Sequence, residues 1–287
     1  MADPAPSGTS VPSSLSQVVT TTRYAFLDYL RSRRFAILLG IMLLISVILT
    51  AVVAYFRPPG VLVNPLSFYA SWWGMSATFV VILSGIFFGG DAIAGEFQNK
   101  TGYFTVPNPV RRSSLYVGKW ISAFIAASIV LFIFTAITVA NETYYFGFNI
   151  PYQFGESVVF AWFYLIAVLG FTFFFSSLFK STSYSILVTA ILFLFAFTLV
   201  ETLVSALAQI EPWFILTYGS EIIGNVLQAT YPQHITSQPG PFGRGGPEAR
   251  TFTTYNVTIP EGLAIIGIYF LVTAALGLLL FERKEFN

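Results

Sequence analysis

Six long apolar runs dominate this sequence, and each is long enough to cross a membrane as a helix. A helix needs about 20 apolar residues to span the hydrocarbon core of a bilayer. The runs cover residues 35–56, 68–88, 120–140, 158–179, 184–207 and 262–281. None of the 15 prolines falls inside them, which predicts uninterrupted helices. Only 9% of the residues are charged, against about 25% in soluble domains, so we expect an all-α polytopic membrane protein with six transmembrane helices.

The lysines and arginines are distributed unevenly around these runs. If both termini lie on one side, that side holds eleven of the 14 basic residues, and the other holds only Arg57, Arg244 and Arg250. Loops rich in lysine and arginine stay in the cytoplasm. We therefore expect cytoplasmic termini and a multi-pass protein of the cell membrane. The net charge of +1 provides no basic field, so nucleic acid is not an expected partner.

The first 34 residues contain no spanning run. Residues 1–14 are rich in Pro, Ser and Gly and are expected to be disordered. Residues 15–34 have apolar positions at helical spacing, with Ser13 or Ser14 as the N-cap, which predicts an amphipathic interfacial helix. The apolar positions are Leu15, Val18, Val19, Phe26, Tyr29 and Leu30. This helix is either a juxtamembrane anchor or a brace for a partner subunit.

The remaining residues, 35–287, form the predicted transmembrane domain. Its outer loop, 208–259, is too polar to span but rich in apolar residues, so we expect a partly re-entrant segment without a separate external domain. Thr258 and Glu261 are spaced as a capping box that begins the last span. Asn141 and Asn256 begin N-x-Thr sequons, which makes them candidate glycosylation sites on the outer side.

The coupling region, residues 89–119, contains six of the 27 charged side chains, whereas most of the chain is apolar. Gly89 and Gly90 loosen the second span, and Asp91 is expected to cap a short helix that continues to Lys100. Pro107 and Pro109 then prevent helix, because proline lacks an amide donor and restricts the residue before it. Ser113 and Ser114 are the expected caps of the next helix, which leads into the third span.

This region resembles the permease subunits of type-2 ATP-binding-cassette (ABC) transporters. The resemblance rests on Glu96, the "KTGYF" that begins at Lys100, Pro109, Arg112, and the "SSLYVGK" that enters the third span. The family shows a Glu, a Gly/Thr pair, a Pro-x-x-Arg-like turn and a Gly-Lys at these places. The Gly/Thr pair is reversed in this sequence. Six spans, cytoplasmic termini and a long outer loop before the last span also agree with the family.

The resemblance implies that the short helix is a cytosolic coupling helix. In the family this segment fits a groove on a cytosolic ABC ATPase, and two such ATPases serve two permeases, identical or related. The expected ATPase-coupling residues are Asp91, Ile93, Glu96, Phe97, Lys100, Arg111, Arg112 and Lys119. We expect Ile93 and Phe97 to enter the apolar groove, while Glu96, Lys100 and Arg112 fix the orientation through charged hydrogen bonds.

The sequence gives no sign that the chain is itself an enzyme. A P-loop requires G-x-x-x-x-G-K-[ST], but Gly118-Lys119 is followed by Trp120 and no such motif occurs. ATP and magnesium are therefore expected on the partner ATPases, with no cofactor bound by this chain. Cysteine is absent and His234 is the only histidine, so cysteine-ligated and multi-histidine metal sites are excluded and no metal site is expected.

The translocation pathway has few polar candidates. Glu201 lies in the fifth apolar run, and an ionisable side chain inside a span is a functional candidate by default. The alternative is a carboxylate at the outer interface, bonded to a neighbour. Phe173, Phe174, Phe193 and Phe197 are candidate apolar lining residues. Their alternative is packing against lipid.

The leading functional hypothesis is the permease of an ATP-driven ABC exporter for a hydrophobic or amphiphilic substrate, such as a lipid, drug or glycolipid. Two alternatives stay open at this point. One is an ion-coupled secondary carrier that uses Glu201, and the other is a non-transporting scaffold that docks a cytosolic protein. Membrane lipids are expected partners in all three cases.

Overall fold

The computed structural model describes residues 13–99, 111–239 and 251–284. Lys100, both predicted helix-breaking prolines and most of the predicted disordered terminus lie outside these ranges. Six described helices are long and apolar enough to cross a membrane, and they are called spans 1 to 6 in chain order. They are Arg33–Phe56, Pro65–Gln98, Arg112–Phe146, Tyr152–Leu178, Thr182–Ala208 and Ile259–Arg283. The expected six-span helical fold is therefore confirmed.

The N-terminal helix, Ser14–Arg31, is separate from span 1. Its N-cap is Ser13, whose hydroxyl accepts the Ser16 amide at 3.3 Å. Ser32 is extended and interrupts the predicted 15–34 helix, and its hydroxyl accepts the Phe35 amide at 3.2 Å to cap span 1. The helix packs along the start of span 3, where the Thr22 hydroxyl donates to the Gly118 carbonyl at 3.1 Å.

Spans 2 and 5 contain wide π-helical turns that the sequence did not indicate. They cover Ala70–Gly74 in span 2, and Leu192–Ala196 and Val204–Ala208 in span 5. The expectation of uninterrupted helices was wrong here, because a π turn inserts an extra residue without any proline. In span 2 this turn carries Trp72 and Trp73, which are both buried, and the Trp73 indole donates to the Ser157 hydroxyl at 2.9 Å.

Span 2 is the centre of the bundle. In an apolar stretch of 18 residues within span 2, 72% is buried. In stretches of the same length, 22% is buried in span 1 and 11% in span 5. Close packing on span 4 requires glycine on span 2, because a Cβ at Gly85 would lie 2.3 Å from a Val168 methyl group. The end of span 2 is equally close, since a Cβ at Gly89 would lie 1.9 Å from the Thr172 hydroxyl.

The region between spans 5 and 6 folds against the bundle. Two short helices, Leu216–Ser220 and Ile222–Asn225, bury most of their side chains, and the Ile223 carbonyl accepts the Ser157 hydroxyl at 2.5 Å. Strand β1, Ile235–Pro239, pairs antiparallel with β2, Thr251–Tyr255. This hairpin departs from the all-α expectation. Insertion of the segment into the bilayer stays a prediction.

The predicted capping box is present at the start of span 6. The Glu261 side chain accepts the Thr258 amide at 3.3 Å, and Pro260 occupies the first turn, where its missing amide removes no helical bond. The capping box, hairpin and two short helices define one end of the bundle, called the hairpin end. The opposite end, called the short-helix end, contains the starts of spans 1, 3 and 5 and the ends of spans 2, 4 and 6.

Candidate functional site

The short helix, Ala94–Gln98, follows a turn at the end of span 2, where the main helix ends at Gly89. The prediction that Asp91 caps it was wrong, because no side chain of its own segment does so. Instead, the Ser176 hydroxyl of span 4 accepts the amides of Ile93 and Ala94, each at 2.9 Å. The start of the short helix is therefore fixed by a residue 82 positions away in the chain.

Asp91 and Glu96 are each paired with a basic side chain of another span. Asp91 forms an ion pair with Arg34 at the start of span 1. Glu96 forms an ion pair with Lys119 of span 3, and both of these side chains are mostly buried, at 15% and 16% exposure. Lys119 also donates to the Ala92 carbonyl at 2.9 Å. Spans 1 and 3 therefore hold this segment by charge.

The last residue of the short helix is bound to span 5. The Gln98 side-chain oxygen accepts the Thr182 amide at 2.7 Å and the Thr182 hydroxyl at 2.6 Å. The amide at the start of span 5 would otherwise have no partner within its own helix. Gln98 therefore joins the short helix directly to the start of span 5.

The end of span 6 is held by three interactions at the same place. Phe97 packs edge-on against Phe281, with ring centres 6.3 Å apart, and the Lys284 ammonium lies 4.3 Å from the Phe97 ring centre. Lys284 also donates to the Ser177 carbonyl of span 4 at 2.9 Å. Burial and then the charge of Lys180 lower the pKa of Lys284 to about 8.

Arg112, at the start of span 3, binds the end of span 6. Its guanidinium donates to the carbonyls of Glu282 and Lys284 at 2.9 and 2.8 Å, which satisfies the exposed carbonyl end of span 6. The prediction that Ser113 and Ser114 cap span 3 was wrong, because the helix already begins at Arg112. The Arg111 amide is instead accepted by the Gln17 side chain of the N-terminal helix at 3.0 Å.

The N-terminal helix also contacts the end of span 2. The Tyr29 hydroxyl donates to the Phe88 carbonyl at 2.8 Å, and burial raises the pKa of Tyr29. Together with the preceding contacts, this places the short helix and its turn in direct contact with spans 1, 3, 4, 5 and 6. A displacement of five residues can therefore act on every other span.

The structure separates the predicted coupling residues into internal and surface groups. Ile93 is fully buried, so the expectation that it enters a groove on another subunit was wrong. Phe97 is half-buried against span 6. The exposed residues at the tip of the short helix are Gln98 and Asn99, and Arg111 is exposed nearby. These surface residues were not distinguished by sequence, because their exposure depends on how the other spans pack.

The four predicted pathway phenylalanines take part in packing between spans. Phe173 is buried against Tyr116, with ring centres 5.6 Å apart. Phe193 is buried between Phe171 and Phe197, at 5.1 and 5.4 Å. Phe174 is partly exposed. The two buried rings are not exposed to lipid, and their place in the pathway stays a prediction.

Glu201 lies at the hairpin end beside a cavity of about 240 Å³. Its carboxylate accepts the Thr217 hydroxyl at 2.8 Å, and Glu221 and Tyr255 line the same cavity. Burial, followed by the charge of Glu201, raises the pKa of Glu221 to about 8. Glu221 therefore favours its protonated form at neutral pH.

The two sequon asparagines already use their amide nitrogens. Asn141 donates to the Ile137 carbonyl at 2.9 Å and lies within span 3, which continues to Phe146 and does not end at residue 140 as predicted. Asn256 donates to the Gln233 carbonyl at 2.8 Å. A glycan on either nitrogen would have to replace these bonds, and glycosylation stays a prediction.

Several structurally important residues were not identified from the sequence. Ser176 and Thr182 gave no signal, because their partners are distant in sequence. Glu142 had a signal: it follows the third apolar run directly. It is fully buried within span 3, where it accepts the Tyr69 hydroxyl at 3.3 Å. The predicted span ended at residue 140, so it did not include Glu142.

The chain was also compared with known proteins. The family model described as ABC-2 family transporter protein matches residues 23–286, which is nearly the entire chain. No curated protein matches the chain at a significant level.

Proposed function

Since this chain belongs to the ABC-2 transporter family, we propose that it is the membrane-spanning permease subunit of an ATP-driven exporter. Separate ABC ATPase subunits bind its short-helix end, which lies in the cytosol together with both termini. The observation that carries this proposal is the set of contacts that joins the short helix to spans 1, 3, 4, 5 and 6. An anchor without a moving partner would not require them.

The ATPase contact is formed by the exposed tip of the short helix and the groove beside it. The groove has a volume of about 250 Å³ and lies between the N-terminal helix and the short helix. Asp28 and Asn99 line it near the surface, and Asp91 and Glu96 line it further in. The exposed Asp28 carboxylate suits a basic side chain of the ATPase, which would form charge-assisted hydrogen bonds there.

The chain's own residues then transmit the movement. When two ATPases close around ATP, each pushes on the short helix that it holds. Ser176 and Thr182 carry this displacement to the adjoining ends of spans 4 and 5, and Lys119 carries it to span 3. Because helices are stiff along their axes, displacement at one end reorients the whole span.

An apolar cavity between spans 3 and 6 supports the proposal that the substrate is hydrophobic or amphiphilic. Its volume is about 500 Å³, and Tyr116, Trp120, Phe270 and Leu278 contribute to its almost wholly apolar lining. Such a cavity accepts an alkyl chain or an aromatic ring. The largely exposed span 5 leaves an apolar surface for lipid and for a second permease.

The test is binding of a co-expressed ABC ATPase to the Asn99→Arg variant. Asn99 is exposed, so arginine there changes the docking surface without changing the internal contacts. We expect at least tenfold weaker binding and a matching loss of ATP-dependent transport in liposomes. Asn149→Arg, an equally exposed change between spans 3 and 4, is the matched control and should bind normally.

Three results would reject the proposal. Unchanged ATPase binding by Asn99→Arg would mean that the short-helix tip is not the docking surface. Transport that continues without ATPase and stops when an ion gradient is collapsed would establish the secondary carrier that uses Glu201. A chain that binds the ATPase but moves no substrate in liposomes would be the scaffold.

A further inference from the structure

Three potential metal ligands converge at the hairpin end, from three different segments. Glu211 follows span 5, His234 immediately precedes strand β1, and Glu261 lies in the first turn of span 6. One ligand atom of each residue lies within 4.8 Å of the other two. His234 Nε2 lies 3.4 Å from Glu211 Oε2.

The imidazole of His234 is oriented as a metal ligand would be. Its Nδ1 lies 3.0 Å from the carbonyl oxygen of Asn256, which can only accept a hydrogen bond, so Nδ1 carries the proton. A neutral ring then presents the lone pair of Nε2 toward Glu211. Bonding of the second nitrogen to a backbone carbonyl is the usual arrangement of metal-binding histidines.

Both carboxylates are held by their other interactions. The Glu211 Oε1 atom accepts the hydroxyl of the buried Tyr218 at 2.7 Å, which leaves Oε2 directed at the imidazole. Glu261 uses Oε2 for the Thr258 capping bond, so Oε1 is not needed to cap the helix. The three ligand atoms are therefore positioned by contacts outside the cluster.

No described lysine or arginine balances the charge of this cluster. Within residues 13–99, 111–239 and 251–284, no lysine or arginine forms an ion pair with Glu211 or Glu261. The lone pair of neutral His234 and the facing Glu211 oxygen are both acceptors, and they repel each other unless a proton or a cation lies between them. The second carboxylate, from Glu261, favours a cation with two positive charges.

We propose that Glu211, His234 and Glu261 bind one divalent transition-metal ion of the Zn²⁺ type. One imidazole nitrogen and two carboxylate oxygens are ligands that zinc accepts, and three protein ligands leave a position for water. The ion would join the end of span 5, the hairpin and the start of span 6. It would thereby fix the hairpin on the bundle independently of any ATPase.

The experiment uses Co²⁺ as a coloured substitute for zinc. The full chain is purified in detergent, its affinity tag is removed, and metal is stripped with a chelator. Since the chain has one histidine and no cysteine, imidazole ligation can come only from His234. We expect one equivalent of Co²⁺ to bind with visible absorption, Zn²⁺ to displace it, and Mg²⁺ at tenfold excess not to displace it.

Variants identify the ligands. His234→Gln and Glu261→Gln should each weaken Co²⁺ binding at least tenfold, while Glu156→Gln, an exposed carboxylate at the start of span 4, should bind as the wild type does. The wild type provides a measurement that needs no variant, because Zn²⁺ should raise its melting temperature. Absence of stoichiometric Co²⁺ binding and of a Zn²⁺ shift would overturn the proposal, as would full binding by His234→Gln.

Discussion

Acidic side chains have different ion-pair partners at the two ends of the bundle. At the short-helix end, Asp91 is paired with Arg34 and Glu96 with Lys119. At the hairpin end there are four glutamates, two at a cavity and two beside His234, and no described lysine or arginine forms an ion pair with any of them. The four are Glu201, Glu211, Glu221 and Glu261.

Because of this difference, the short-helix end is suited to transmit force, whereas the hairpin end is suited to respond to pH and to metal ions. Paired charges with hydrogen bonds to neighbouring carbonyls hold one geometry, which suits an element that transmits force. Unpaired carboxylates need a proton or a cation, so their structure depends on pH and on metal ions. The predictions below test these two properties.

The largest effect is expected from Lys119→Met. This change removes the ammonium that pairs with the mostly buried Glu96, and removing one member of a buried pair costs about 3–5 kcal/mol. The melting temperature in detergent should fall strongly. Lys119→Met combined with Glu96→Gln should recover much of the loss, and the exposed Lys180→Met should change little. Equal losses in the single and double variants would show that the ion pair is unimportant.

A smaller effect is expected from a methyl group at Gly89. A Cβ there would lie 1.9 Å from the Thr172 hydroxyl and 2.9 Å from its Cβ, so span 2 must shift from span 4. Gly89→Ala should destabilise the protein by about 1–3 kcal/mol. Gly40→Ala in span 1 is the matched control, because no atom lies within 4 Å of its Cβ, and should stabilise its helix by about 0.5–1 kcal/mol. Similar effects at both positions would contradict tight packing at the short-helix end.

The smallest effect is a pH dependence at the hairpin end. The pKa of Glu221 is raised from 4.5 to about 8 by burial and then by Glu201. Its protonated form favours the fold, so its contribution is full below about pH 4.5 and is lost as pH rises through about 8. Wild-type stability should therefore fall as pH rises from about 4.5 to about 8.

Glu221→Gln removes that titration and keeps a neutral side chain of the same shape. Its melting temperature should therefore vary less between pH 5 and 9, and above pH 8 it should exceed that of the wild type. Identical pH profiles for the two proteins would contradict a buried, protonated Glu221. Asp28→Asn provides the comparison with an exposed carboxylate at the short-helix end.

Sequence predicted the features that depend on composition or on nearby residues. The six spans follow from apolar length, and the capping box of span 6 follows from the spacing of Thr258 and Glu261. The end of the span 2 helix at Gly89 was also predicted. In each case the decisive partners lie within one or a few helical turns.

Sequence did not predict the partners that are distant along the chain. Asp91 was expected to cap its own helix, but it pairs with Arg34, and Ser176 provides the cap. Ile93 was expected to enter a groove on the ATPase, yet it is fully buried, and its amide is bound by Ser176 of span 4. Likewise, the metal-ligand cluster unites residues 211, 234 and 261 only through folding of the hairpin end.

The central claim is that the short helix transmits ATPase movement into the bundle, and Ser176→Ala tests it most directly. This variant removes the hydroxyl that holds the Ile93 and Ala94 amides, but it leaves the exposed tip unchanged. Ser177→Ala is the matched control, because the buried Ser177 hydroxyl has no hydrogen-bond partner among the described residues.

The measurement is ATPase affinity together with ATP-driven transport in liposomes. We predict that Ser176→Ala binds the ATPase within twofold of the wild type but transports at least tenfold more slowly, while Ser177→Ala behaves normally in both assays. Normal transport by a folded Ser176→Ala variant would contradict transmission through the short helix.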